Sequence, residues 1–272
     1  MGNKKRCAVI GDPISHSLSP IIHQAFASQF NIELEYTRIE ASVDNFNKKA
    51  QDFFSSGGLG LNVTVPNKAK AFTLCDVLSE TSKQTKVVNT IHQMPNGSLH
   101  GDNTDPYGLI VDLEKNHQVM LRGKKILLIG AGGAAAGVTS ALINKSHQQL
   151  TIANRTLVNA DALVAELKLG NQARCVTIDF SEENFDIIIN ATSAGLQQDI
   201  PKISPSIIKA HTVCYDLSYS KSTTGFLDYC NSLGVSHCID GWGMLVEQAA
   251  QSFEIWFNQR PDTTTLLLNK PR

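Results

Sequence analysis

A run of small residues, Gly130-Ala131-Gly132-Gly133-Ala134-Ala135-Ala136-Gly137, directly follows the apolar stretch Ile126-Leu127-Leu128-Ile129. A continuous apolar run reads as a buried parallel strand. The residues after it read as a glycine turn into a helix over about 134–143. Such a turn lets backbone approach a phosphate, and the unpaired N–H groups at the helix start then face it. Gly130 serves the tight turn and Gly132 the close approach; Ala135 stands at the third position, where the dinucleotide fingerprint accepts alanine. Gly133 and Ala134 complete the turn.

The next strand, 149–153, ends in Asn154-Arg155-Thr156. A site for NAD places Asp or Glu there, about 20 residues past the glycines, to hold the ribose 2′-hydroxyl. This chain has no acid at that point, and an arginine can clamp a 2′-phosphate with a bidentate charged fork. The cofactor expected is therefore NADP. The bland reading is a solvated arginine in a β–α turn; the agreement of the glycine turn with Arg155 weighs against it.

Polar residues at other strand ends form a second set. Ser17 and Ser19 lie between a strand at 6–10 and a helix at about 21–30, with Ser19 read as N-cap and Pro20 as the first helical residue. One serine alone reads as capping; the pair is expected to bind a ligand. Lys68 opens a helix just after the strand 59–65, which ends Asn62-Val63-Thr64-Val65-Pro66. A lysine in a helix's first turn opposes the positive end of the dipole, and such violations mark function, although alone it would read as a solvent-facing lysine. Asp105 precedes Pro106 at the entry to a helix at about 107–116, where it could serve only as a cap.

These residues need a framework, and the chain supplies alternating strand and helix patterns. A strand at 34–39, a helix at 43–54 and a hairpin about Pro95-Asn96-Gly97 complete the first part. Beyond the glycine turn come a helix at 158–167, strands at 174–178, 185–190, 212–217 and 235–239, and a helix at 224–233. Such βα units predict one doubly wound parallel domain. The polar turn Asn190-Ala191-Thr192-Ser193 lies at a carboxyl strand end, where a nicotinamide ribose would sit. A last helix follows Asp240-Gly241-Trp242-Gly243, with Leu245, Ala249, Ser252, Phe253 and Trp256 inward and Gln248 one position off that stripe. The fold class expected is α/β: an N-terminal α/β substrate domain, 1–104 plus 240–272, and a Rossmann-like NADP domain, 105–239, separated by a cleft.

Composition excludes other classes. The chain has 272 residues, 42% hydrophobic and 18% charged, with formal net charge -1. That fits a globular protein, and it offers neither the basic excess of a nucleic-acid binder nor a membrane span. Ala8-Val9-Ile10 stops at Gly11-Asp12-Pro13, too short for a secretory signal. The six cysteines are scattered without a C-x-x-C pair, which suits a reducing cytoplasm. His16 and His23 could share a helix face, but two histidines do not make a metal site, and none is expected.

Together the motifs closely resemble the shikimate dehydrogenase family, from first strand to last helix. The matching pieces are Ser17-Leu18-Ser19-Pro20, Asn62-Val63-Thr64-Val65-Pro66 with Lys68, Val88-Asn89-Thr90, Gly101-Asp102-Asn103-Thr104-Asp105, Gly130-Ala131-Gly132-Gly133-Ala134, Asn154-Arg155-Thr156, Asn190-Ala191-Thr192-Ser193, and Asp240-Gly241-Trp242-Gly243-Met244-Leu245-Val246-Glu247-Gln248-Ala249-Ala250. Their order and spacing carry the resemblance; no single piece would. It implies reversible NADPH reduction of 3-dehydroshikimate to shikimate in aromatic amino-acid synthesis. It implies that Ser17, Ser19, Thr64, Asn89, Asp105, Tyr219 and Gln248 hold the substrate, with Lys68 and Asp105 beside the reacting hydroxyl. Met244 would pack on the nicotinamide, Gly241 would receive its carboxamide, and Thr192, Ser193 and Leu217 would complete the cofactor set. A monomer or homodimer is expected.

The chain departs from the family pattern in places. Where the family often carries basic residues near the 2′-phosphate, this sequence has Ala136 and Asn159. Arg155 is then expected to carry NADP preference alone, with Thr156 adding a hydrogen bond. Pro106 replaces the glycine usual after Asp105, and Val87 a glycine before Val88. The rival readings are an NAD-dependent quinate/shikimate dehydrogenase, an S-adenosylmethionine methyltransferase and a non-catalytic NADP sensor. The missing acid after the second strand opposes the first two; the presence of Lys68 and Asp105 opposes the third.

Overall fold

The computed structural model describes residues 4–181, 183–192 and 200–271. The chain divides into two compact units, Met1–Gly108 with Val246–Asn269, and Leu109–Leu245 with Lys270–Arg272. The division falls a few residues past the boundaries expected at 104/105 and 239/240. Asp105 stays with the first unit because its bonds go to Asn89 and Lys68, and the start of the last helix stays with the second.

The first unit carries a six-stranded sheet of β1 (Lys5–Gly11), β2 (Leu34–Glu40), β3 (Gly60–Val63), β4 (Val77–Leu78), β5 (Thr90–Gln93) and β6 (Leu99–Asp102), in the order β2-β1-β3-β5-β6-β4. β1 pairs parallel with β2 and β3, whereas β5 runs antiparallel to both β3 and β6. This mixture sets the site. The carboxyl ends of β1 and β3, the start of β5 and the end of β6 share one sheet edge: Asn62 pairs with Thr90, and Thr90 with Asp102. The helices are α1 (Ser19–Gln29), α2 (Phe46–Ser55), α3 (Lys68–Leu74), α4 (Glu80–Thr85) and α5 (Asp105–Val111). Phe46, Ala50, Phe53 and Phe54 of α2 pack with Ala8, Ile10, Leu61, Val63 and Ile91 of the sheet in one core.

The second unit holds six parallel strands, β7 (Lys125–Ile129), β8 (Gln149–Asn154), β9 (Ala173–Thr177), β10 (Ile187–Asn190), β11 (Val213–Asp216) and β12 (His237–Asp240). Their spatial order is β12-β11-β10-β7-β8-β9. Counted from the glycine strand this is the doubly wound order 3-2-1-4-5-6, whose direction reverses between β7 and β10, the place where such sheets bind dinucleotides. Separate apolar clusters cover the sheet; Ile126, Leu128, Ile152 and Ile189 enter one, Leu127, Ile129, Ala153 and Ile188 the other. This alternation explains why the strands read as unbroken apolar runs. The helices α6 (Gly133–Ile143), α7 (Leu157–Glu166) and α8 (Gly225–Ser232) connect them.

The helix α9 (Trp242–Phe257) follows β12, and its residues from Val246 onward belong to the first unit. There Trp256 lies over Gly60, where an added Cβ would fall 2.4 Å from the indole. Its Nε1 donates to the Ile91 carbonyl at 3.0 Å. The chain's last helix is α10 (Thr264–Leu268).

Several expected boundaries shift. Ser19 is not the N-cap of α1: Leu18 holds that place, and Ser19 lies inside the first turn. Its side chain is engaged instead by Ser17. Helix α2 begins at Phe46 rather than near 43. The short β4, α4 and α10 escaped the sequence reading, because segments of two to six residues show too little periodicity to register.

Candidate active site

Lys68 is the first residue of α3 and Asp105 the first of α5. Lys68 Nζ lies 2.5 Å from Asp105 Oδ2, with both side chains largely buried. The lysine at the wrong end of its helix is thus matched by a carboxylate. The other carboxylate oxygen, Oδ1, accepts from Asn89 Nδ2 at 2.7 Å. Asn89 is 3% exposed. It is held in turn: its Oδ1 accepts the Thr104 N–H at 2.9 Å and the Thr90 hydroxyl at 2.8 Å. Its Nδ2 also reaches Thr104 Oγ1 and Gln248 Oε1, the latter at 3.3 Å. Charge-assisted hydrogen bonds of this length are the strong ones. With both carboxylate oxygens committed, Asp105 is a fixed anchor for the lysine.

This cluster continues under the sheet edge. Ser252 Oγ of α9 lies 2.7 Å from Thr90 Oγ1 and receives Asn62 Nδ2 at 3.0 Å; Asn62 Oδ1 accepts from Tyr36 Oη at 2.8 Å. Ser19, which lies beside the Tyr36 hydroxyl, receives a hydrogen bond from Ser17 Oγ at 3.2 Å. A buried, satisfied polar network of this kind is rigid, and burial holds the Tyr36 hydroxyl well above its usual titration range. Thr64 follows β3, and Gly11 makes room for it: a Cβ there would fall 2.4 Å from Thr64 Cγ2. The first unit therefore gathers Lys68, Asp105, Asn89 and Gln248 in direct contact, and Ser17 with Ser19 beside the same network.

His16 and His23 do not share a face. His16 is exposed in the loop before α1, and His23 is fully buried within it. His23 stacks on Tyr36 with ring centroids 4.5 Å apart and leans on Trp256 at 5.1 Å. Asn62 lies beside it, yet neither ring nitrogen has a partner at hydrogen-bond geometry. Burial pushes its pKa from 6.5 down to about 3. As pH falls through that window the unfolded chain binds a proton that the folded chain does not, so stability is lost with acid at about 1.4 kcal/mol per pH unit. His23→Phe, which keeps the stacking, is expected to remove this contribution. Between pH 7 and 5, urea denaturation should show the wild type losing about 2 kcal/mol more than the variant. Parallel losses in both proteins would rule the assignment out.

In the second unit the glycine turn leaves β7 at Gly130, whose φ of +112° is the left-handed region that favours glycine. A Cβ there would also fall 3.1 Å from the Ala191 carbonyl of the neighbouring strand end. Gly132 is the N-cap of α6 and presents no capping side chain. Gly132, Gly133 and Ala134 are exposed, and a Cβ at either glycine would meet nothing within 4 Å. The start of the helix is thus open at Gly132 and Gly133, which suits the approach of a pyrophosphate. Ala131 lines the same turn. One strand over, Arg155 is exposed at the end of β8, in a turn braced by Asn154 Nδ2 donating to the Thr156 carbonyl at 2.9 Å. An unobstructed helix start with an exposed guanidinium beyond it fits a dinucleotide carrying a 2′-phosphate.

On the other side of the switch point, Asn190 Oδ1 accepts from the Thr192 hydroxyl at 2.8 Å, and its Nδ2 donates to Asp216 Oδ1 at 3.2 Å. Asp216 is fully buried; burial raises its pKa, and Thr224 and the Ser218 N–H donate to it. It ties the ends of β10 and β11 to α8. Gly241 sits so close to Leu217 that a Cβ would fall 2.1 Å from the Leu217 carbonyl, so only glycine fits. Met244 packs, partly exposed, against the apolar cluster that holds Ile126 and Leu128. Tyr219, expected with the substrate residues, belongs to the second unit, its ring 6.3 Å from Trp242. Ser193 lies outside the described residues.

Some polar residues that support the site had no assigned role in the sequence reading. Asn62, Thr90, Thr104 and Ser252 face the network from four segments, and Asp216 braces the switch point. Asn62 interrupts an apolar strand, and this was the one signal available.

Residues 9–91 match the shikimate dehydrogenase substrate binding domain, 112–200 the shikimate / quinate 5-dehydrogenase domain and 241–266 the shikimate 5'-dehydrogenase C-terminal domain. A shikimate dehydrogenase (NADP(+)) of Hahella chejuensis is 45% identical over 261 residues, covering 96% of each chain. Among solved structures, an Ael1 enzyme from Pseudomonas putida superposes with TM-score 0.90 at 38% identity over 97% of each chain. The shikimate 5-dehydrogenase of Thermus thermophilus, solved with NADP(H) and shikimate, superposes with TM-score 0.85 at 28% identity over 96% of each chain. The chain belongs to the shikimate dehydrogenase family.

Proposed function

We propose that this protein interconverts 3-dehydroshikimate and shikimate with NADP(H), with Lys68 as the acid/base group and Asp105 as its partner. The observation that carries the reading is the Lys68–Asp105–Asn89 cluster at one sheet edge, on a chain whose second unit has an open glycine turn followed by Arg155. Bound NADPH supplies the hydride.

Reduction of a ketone places negative charge on its oxygen, which must be stabilised and then protonated. Lys68 is suited to both tasks. Its ammonium has three N–H donors, and one is engaged by Asp105. The remaining donors can meet a substrate oxygen, stabilise the developing charge and deliver a proton there. In the oxidation direction the amine left by that donation takes the hydroxyl proton and becomes the ammonium again. Asp105, bonded to both Lys68 and Asn89, holds the ammonium in place. Ser17, Ser19, Thr64, Asn89, Tyr219 and Gln248 offer hydroxyl and amide groups, which match a small polyhydroxy ring carboxylate. The scattered free cysteines suit a reducing cytoplasm, and the protein is read as a monomer or homodimer. No helix among the described residues is long and apolar enough to cross a membrane.

Nicotinamide absorbance with shikimate or quinate, each with NADP+ and NAD+, tests this directly. Rapid reduction of NADP+ by shikimate is expected. Activity on quinate with NAD+ would move the assignment to the rival dehydrogenase. Folded protein that binds NADP+ and oxidises neither substrate would point to a sensor.

A further inference from the structure

Beneath the first turn of α9 lies a buried polar cluster that the proposed reaction does not use. After α5 the chain makes one wider π-helical turn, Asp112–Asn116. Turns of this kind recur at functional sites. Asp112 is fully buried, as is Tyr215 at the centre of β11. Tyr215 Oη donates to Asp112 Oδ2 at 2.7 Å, and Asn116 Nδ2 donates to Asp112 Oδ1 at 2.9 Å. His117 Nε2 lies 3.6 Å from the same Oδ1.

This carboxylate is pressed against the start of α9. A Cβ on Gly243 would fall 1.9 Å from Asp112 Oδ1 and 2.7 Å from Oδ2, so the carboxylate occupies the space that any side chain there would need. The Tyr215 hydroxyl lies beside the Met244 backbone N–H. The Tyr215 hydroxyl and the Asp112 carboxylate thus pack together against the backbone of Gly243 and Met244. The carboxyl group, whose pKa burial raises, lies at the positive end of a sixteen-residue helix, where the orphan amides of the first turn need acceptors. On its other side the same turn is fixed by the Gly241 N–H donating to the Ser218 carbonyl at 3.0 Å and the Trp242 N–H donating to Asp240 Oδ1 at 3.1 Å. Asp240 is in turn held by Lys270 at 2.5 Å. All of these residues belong to the second unit.

We propose that Asp112 and Tyr215 are positioning residues for the nicotinamide end of the cofactor site, setting the Gly241–Met244 turn from below. The proposal rests on the reading of Gly241 and Met244 as nicotinamide contacts. Neither Asp112 nor Tyr215 touches cofactor or substrate; each acts through the backbone of α9. The adenosine end, at Gly132 and Arg155, is built on other strands and has no share in the cluster.

That separation supplies the test. NADP+ and adenosine 2′,5′-bisphosphate share the adenosine and the 2′-phosphate, and only NADP+ carries nicotinamide. Calorimetric titration of both ligands into wild type, Asp112→Asn and Tyr215→Phe, with kcat for shikimate oxidation, separates positioning from general stability. Loss of one buried hydrogen bond is expected to weaken NADP+ by about tenfold, with kcat falling in step. The bisphosphate affinity should stay within about twofold, since its site lies elsewhere. Equal weakening of both nucleotides, or unchanged NADP+ affinity and kcat in a variant with a lowered melting temperature, would overturn the proposal. Tyr215→Phe keeps the ring and carries the test if Asp112→Asn does not fold. The affinity ratio is read without substrate, so a wild type that fails to oxidise shikimate sinks the assigned reaction without deciding this question.

Discussion

Replacing Lys68 with alanine is expected to lower kcat for shikimate oxidation by about a thousandfold, or about 4 kcal/mol of transition-state stabilisation. The expectation follows from what Lys68 does in this geometry. As the amine it is the group placed to accept the hydroxyl proton, and the ammonium so formed stabilises the alkoxide. Removal also leaves Asp105 Oδ2 without the partner found at 2.5 Å, so the Asp105 carboxylate would repel the same alkoxide. The KM for NADP+ should change little, because the glycine turn and Arg155 lie in the other unit. Steady-state kinetics with both substrates varied would read this split. A near-normal kcat in folded Lys68→Ala would remove Lys68 from the mechanism. Lys68→Arg gives a sharper comparison: it keeps the charge but surrenders the proton far less readily, so binding should survive where turnover does not.

Arg155→Ala is expected to raise the KM for NADP+ by about ten- to a hundredfold, the cost of about 1.5–3 kcal/mol for a lost charge-assisted contact. The KM for NAD+, which has no 2′-phosphate, should stay within about twofold, and kcat should be little changed with either cofactor. The magnitude depends on Arg155 acting with little help. Ala136 is apolar and 8% exposed, and Asn159 on α7 is exposed but neutral. At both positions the family often carries a cation. The wild type should accordingly discriminate between the cofactors less strongly than relatives with three cations, and Arg155→Ala should erase what remains. An unchanged KM for NADP+ in the variant would show that the phosphate is held at some other place.

Much of this architecture was legible in the chain. The doubly wound unit follows from apolar runs of strand length separated by helical periods, because a parallel strand covered on both faces tolerates no polar alternation. The glycine turn follows from backbone requirements: at φ +112°, and 3.1 Å from a neighbouring carbonyl, Gly130 cannot easily be another residue. Arg155 was legible because an acid at the same place would have meant the other cofactor. Lys68 was legible as an electrostatic exception, which hinted at a partner without naming it. All of these are local consequences of backbone sterics, periodicity and charge.

The tertiary structure decided what lies far apart in sequence. Lys68 and Asp105 are 37 positions apart, and Asn89 and Gln248 are 159 apart. They meet because β5 runs antiparallel between β3 and β6, which brings the end of β3, the start of β5 and the end of β6 to one edge. No single-residue periodicity encodes strand order. Ser19 looked like a cap because capping is a local property; its hydroxyl instead accepts from Ser17 and lies beside the Tyr36 hydroxyl. Asp112 gave no signal at all, since a carboxylate in a helical segment ordinarily reads as solvated surface. Only the packing of β11 and α9 around it, with Gly243 leaving room for its oxygens, made it a buried acceptor. Sequence determined the elements and the cofactor class through short-range sterics and charge; long-range pairing decided which polar groups became partners, because burial forces each of them to find one.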